Sequence, residues 1–168
     1  SFFNNGVVHM TFGVKDYSED GGLIAGSLNS SNRESFHINF NSNLINDNGW
    51  NNTSSGINNV GVDYSQARNM DEKLILTLAH EAMHANHRAR YDAALREAGG
   101  WPGPAADWLI NSGYSKEYVE IYFQKNSDGE WDYNRDGNMN QREHDYMRKH
   151  NQGVFRDALD EYRNDFGY

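Results

Sequence analysis

An α+β fold is what this sequence predicts, and three observations carry the expectation. Two segments near the start alternate side chains at period two, one long helical signal follows with clear start and stop residues, and the later segments read as shorter helices. Strands first and helices afterwards is the pattern of a sheet with helices segregated to one face.

The strands are residues 7–14, VVHMTFGV, and 35–40, SFHINF, both rich in Val, Ile and Phe. A Gly/Ser/Asn turn region is expected between them, and the Asn-, Ser- and Gly-crowded stretch 41–61 favours turns over a continuous element. In NMDEK, Asn69 or Asp71 can accept hydrogen bonds from the exposed N–H groups of a helix start. Leu74, Ile75, Leu78, Ala79, Ala82 and Met83 then recur at helical spacing, and Gly99-Gly100 supplies the stop. The segment WPGPAADWL, which holds both prolines, should break the helical run before a second helix over 105–111. An amphipathic helix is expected over 115–125, SKEYVEIYFQK, and a fourth over 140–165, interrupted at Gly153. One domain of 168 residues is expected, divided into a strand and loop part (1–68), the long helix (69–100) and a helical part (101–168). There is no internal repeat.

Composition narrows the function. A net charge of -9 and a pI near 5.1 leave no basic cluster to neutralise phosphates, which argues against nucleic acid, and a membrane surface is equally disfavoured. No apolar run approaches the length of a bilayer span, and no leader pattern begins the chain. The first residue is serine, so a processed product or an excised domain is expected. With no cysteine, disulfides, thiolate ligands and thiol nucleophiles are excluded together, and any metal must be held by His and carboxylate.

The most informative stretch is LTLAHEAMHANHRARYD, residues 76–92. His80, Glu81 and His84 form H-E-x-x-H inside the best-defined helix. Histidines four apart stand one turn apart on one face, so both rings can reach one zinc ion, and Glu81 beside them can hold and deprotonate a water. The plainer alternative is a polar helical stripe that matches by accident. His87 continues the stripe but lies about 10 Å along the axis from His80, too far to share an ion with it. The longer H-E-x-x-H-x-x-G-x-x-H pattern is excluded, because His87 and Arg90 stand where it needs Gly and His.

A catalytic zinc needs a third protein ligand. Glu117, Glu120, Glu143, His144, Asp145 and His150 are candidates, and the neighbourhood of His144 favours it. Residues 132–143, DYNRDGNMNQRE, match an EF-hand loop, with Asp132, Asn134 and Asp136 at positions 1, 3 and 5, Gly137 at the bend, the Asn138 carbonyl at position 7 and Glu143 at position 12. A calcium ion there would fix the start of the helix that carries His144. The alternative is a simple acidic turn. For a developing oxyanion, Tyr118, Tyr146 and His150 are available, and the strand at 35–40 is expected to offer an edge for an extended peptide. Trp50, Trp101, Trp108 and Trp131 are expected in the core, and His9 and His37 in structural roles.

Three blocks carry a resemblance to a known family. FHINFNSNLIN, LILTLAHEAMHA and REHDYMRKHNQGVFRDALDEY, about a quarter of the chain, resemble the pre-active-site strand, zinc helix and later helix of zincin-type metallopeptidase domains. Such domains occur at the C-termini of Rhs-like and other large secreted or toxin-like bacterial proteins. The resemblance implies a zincin-like fold, zinc held by His80, His84 and His144, Glu81 as catalytic base, and peptide hydrolysis. It also implies a secreted or extracellular setting within a larger exported bacterial protein, acting on a peptide or protein substrate and countered by an inhibitor or immunity protein. The competing reading is a calcium-ordered binding or structural module with a vestigial zinc site. The intact Glu81 weighs against that module, which has no use for a carboxylate at the base position.

Overall fold

The computed structural model describes residues 9–15, 26–32, 35–41 and 61–166. Its strands are β1 (His9–Lys15), β2 (Gly26–Asn32), β3 (Ser35–Asn41), β4 (Phe123–Lys125) and β5 (Trp131–Tyr133); its helices are α1 (Met70–Glu97), α2 (Pro102–Asn111), α3 (Lys116–Val119), α4 (Met139–His150) and α5 (Gln152–Phe166). The architecture is mixed and helix-dominated, in keeping with an α+β class.

The long helix forms where its signals place it. Asn69 Oδ1 accepts from the Glu72 N–H at 2.9 Å, and the Glu72 carboxylate reaches back to the Arg68 N–H at 2.7 Å, so two exposed donors are satisfied reciprocally. Asp71 and Glu72 in the first turn also suit the positive end of the helix dipole. No Gly or Pro interrupts the next 28 residues. At the far end Gly99, at φ +61°, lets the Gly100 N–H bond the Leu95 carbonyl and its own N–H bond that of Arg96, closing the helix in a Schellman turn.

Residues 80–85 of α1 are all buried, so the middle of this helix is covered on every face. Only this middle lacks a solvent face, since Asp71, Arg90, Arg96 and Glu97 nearer the ends are exposed. Strands β2 and β3 lie against it, as do α2, α4 and α5. Two apolar cores share it. One, under its N-terminal half, is built from Val62, Tyr64, Leu76, Met83, Phe155 and Leu159 with Met147 of α4. The other, under its C-terminal half, gathers Ala94, Leu109, Tyr118, Ile121, Tyr122 and Phe123.

Several expectations change. Residues 26–32, GSLNSSN, form a strand rather than a turn region: β2 pairs antiparallel with β3, while β1 pairs parallel with β3 on the other side. Segment 35–40 is therefore the middle strand and has no open edge. The helix expected over 115–125 is only one turn long. Ser115 caps it, and the β-branched and aromatic run that follows enters a hairpin, with Phe123 opposite Tyr133 and Lys125 opposite Trp131. Asn126 closes the hairpin loop by accepting from the N–H groups of Asp128 and Glu130, with Gly129 at φ +79°. The fourth helix breaks at Asn151 rather than Gly153, and α2 starts at Pro102, where a missing N–H costs nothing. Trp101, expected inside, is 70% exposed, whereas Trp108 and Trp131 pack against the second core. Trp50 and the side chains of His9 and His37 lie outside the described residues. Among those described, no helix is long and apolar enough to cross a membrane.

Candidate metal centre

The centre stands where the two cores meet. His80 and His84 come from the buried middle of α1, one turn apart, and His144 comes from α4. The Nε2 atom of His84 lies 3.2 Å from His80 Nε2 and 3.0 Å from His144 Nε2, and one nitrogen from each ring falls within 4.8 Å of the others. Tetrahedral bonds of roughly 2.0–2.1 Å place ligand nitrogens about 3.3 Å apart, so the spacing fits a zinc-sized ion.

Protonation supports the same fit. His84 Nδ1 lies 2.7 Å from Glu143 Oε2, and against an ionised carboxylate that nitrogen must carry the proton, which leaves the Nε2 lone pair directed at the other two rings. Burial, reinforced by the neighbouring imidazoles, holds His80 and His84 well below the ordinary histidine range. They are neutral, as metal ligands must be. Together the three rings form a group able to hold a metal ion.

Glu81 is 5% exposed, and its Oε1 lies 3.9 Å from His80 Nε2. Burial pushes its carboxyl up to about 7 against the opposing field of Arg88. A carboxylate beside the ligand nitrogens, and not bonded away from them by any described cation, is placed to meet a water at the centre.

His87 stays out of the cluster. Its ring is buried edge-on against Tyr118 and Tyr146, and burial lowers it to about 4. The three candidates for oxyanion stabilisation have other contacts. The Tyr118 hydroxyl donates to the His87 carbonyl, the His150 ring meets Glu117 at 2.8 Å, and Tyr146 packs between the rings of His87 and His150. Of the other third-ligand candidates, Glu117 also binds Lys149, Glu120 pairs with Lys116, and Asp145 pairs with Arg148.

The calcium cage expected over 132–143 is not assembled. Glu143, its intended closing ligand, is fully buried, with Oε2 on His84 and Oε1 accepting from the Tyr122 hydroxyl at 2.8 Å. Both Asp136 oxygens are held by Arg142 Nη1 at 2.7 Å, which draws that carboxyl below its usual range. Asp132 lies in β5 and accepts from the Tyr133 N–H, Asn134 donates its own N–H to the Tyr122 carbonyl, and Asn138 stands at the start of α4 with its N–H on Asp136. The loop is braced by its own arginine.

Sequence reasoning missed Tyr122 and Arg88 as neighbours of the site, and did not foresee that Glu143 turns to His84 and Tyr122. Arg88 Nη2 lies 3.7 Å from Glu143 Oε2 and donates to Asn140. The adjacency of Glu143 to His144 was the one usable signal. Gly61 supports the far side of α4: at φ +76° it lies so close that a Cβ there would sit 2.7 Å from the His144 carbonyl oxygen. No family model matches the chain, and neither a curated protein nor a solved structure matches it.

Proposed function

We propose that this protein is a zinc-dependent metallopeptidase of zincin-like architecture. The observation that carries the reading is the convergence of His80, His84 and His144 Nε2 beside the buried carboxylate of Glu81. His80, His84 and His144 would hold a zinc ion, which would supply Lewis acidity toward a scissile carbonyl and lower the pKa of a bound water. Glu81 accepts the proton of the attacking water on its carboxylate and delivers it to the leaving amine. The surrounding burial keeps bulk water away from that transfer and strengthens the fields acting on it.

Strand β2 lies against α1 and is unpaired on one side among the described residues, so its backbone can add an extended peptide as a further strand. The proposed setting is an exported bacterial effector with a matching inhibitor, a reading supported by the resemblance of the three sequence blocks alone.

Metal analysis of the purified protein, with cleavage of a peptide library by parent and Glu81→Gln, tests the function. One zinc per chain is expected in both proteins. Cleavage should fall by roughly 10²–10⁴-fold in the variant, because an amide cannot take the proton. Residual activity within about tenfold of the parent would remove Glu81 as the base, and a parent without metal would remove the peptidase reading.

A further inference from the structure

The geometry points to Glu143 as a positioning residue for His84, held in place by Tyr122, an inference that rests on the metal-centre reading above. A fully buried carboxylate is costly unless each oxygen is satisfied, and here each is. His84 Nδ1–H reaches Oε2 at 2.7 Å, the Tyr122 O–H reaches Oε1 at 2.8 Å, and Arg88 lies behind Oε2 at 3.7 Å. A carboxylate has acceptors only, so it can meet His84 Nδ1 only as N–H. That fixes one tautomer and one ring orientation, and leaves Nε2 bare for an ion.

Three consecutive residues of α4 divide the work. Arg142 Nε donates to the Ile121 carbonyl at 2.9 Å, Glu143 takes the hydroxyl of the next residue, Tyr122, and His144 faces the ligand nitrogens. Residues 121–122 are thus tied to α4 twice, and the Tyr122 hydroxyl is held on its target. His80 offers a contrast within the same site, because its buried Nδ1 has no partner among the described residues. The ligand set contains one gripped histidine and one held by packing.

The experiment uses zinc alone, in competition with a chromogenic chelator, and the visible spectrum of the Co(II)-loaded protein, on the parent, Glu143→Ala, Glu143→Gln and Tyr122→Phe. Melting of the metal-free proteins is followed alongside. Glu143→Ala should weaken zinc on the order of 100-fold. Glu143→Gln retains an oxygen for His84 Nδ1–H and should recover part of that loss, to about tenfold, while Tyr122→Phe should lose several-fold. The Co(II) bands should shift in the same order. If the alanine variant does not fold, the glutamine and phenylalanine variants decide. A purely structural Glu143 would lower the melting temperature in all variants while leaving zinc affinity and the Co(II) spectrum of the folded protein at parental values, and that result overturns the proposal alone. A parent that binds neither metal overturns the metal centre, and this inference with it.

Discussion

The two cores that share α1 are built from different chemistry. Under its N-terminal half the packing is largely aliphatic, with Phe155 and Tyr64 as its buried aromatics, and its polar contacts are internal: Tyr64 O–H with Thr77 Oγ1 at 3.0 Å, and Glu72 with Arg163 of α5 at 2.8 Å. Under its C-terminal half the packing is aromatic, and two of its hydroxyls reach inward, Tyr122 to Glu143 beside the histidines and Tyr118 to the His87 carbonyl of α1. The first core therefore sets where α1 lies, and the second braces the groups around the histidine cluster. An aromatic residue suits the second task because it combines a large apolar body with one polar tip.

The largest effect that tests this division is cavity formation in the first core. Phe155 is fully buried, and Phe155→Ala should cost about 3–5 kcal/mol in denaturant unfolding. Zinc affinity measured on the folded protein should stay parental. A parallel loss of affinity would mean that the first core also orients ligands.

Acid should produce an intermediate effect on the same side. The hydrogen bonds of Arg163 to Glu72 draw that carboxyl down to about 2, below its unfolded value of about 4.3. Because the folded value is the lower one, the stabilisation is complete above about pH 4.3 and disappears as pH falls toward 2. The urea midpoint of the metal-free parent should drop through that window, and the gap between parent and Glu72→Gln should close with it. A gap that stays constant from pH 6 to pH 2 would show that Glu72 contributes no charge-dependent stability.

The smallest effect makes the sharpest contrast, since each core holds one buried tyrosine hydroxyl bonded to a side chain. Tyr64→Phe should cost about 1 kcal/mol in stability and nothing in zinc affinity, the reverse emphasis of Tyr122→Phe. Calorimetric unfolding and chelator competition on the two variants side by side read both quantities. Equal behaviour of the pair would erase the distinction between the cores.

What could be read from the chain follows the same line. The helix and its histidines were legible because capping, helical spacing and the glycine stop are local, and H-E-x-x-H lies within a single turn. The hairpin was not, because SKEYVEIYFQK fits a helix face as well as a strand, and burial of Ile121, Tyr122 and Phe123 together decided it. Strand β2 is made of turn-forming residues and exists through its pairing with β3. Glu143 misled because its loop matches a calcium pattern, while the direction of its side chain depends on Tyr122 and on His84, the latter 59 residues away in sequence. Trp101 misled because an aromatic residue at a helix start can lie flat on the surface.

The single unbroken helix, about 42 Å long, has one more consequence, for motion. Its two ends are covered by separate cores, so either end can open briefly while the other stays closed. Residues 80–85 lie in the overlap and are all buried, so opening one end alone is not expected to expose their amide hydrogens. The peptide groups bearing His80 and His84 are therefore expected to exchange more slowly than those at either end of α1. Fraying at Met70 or at Glu97 passes without displacing either ligand.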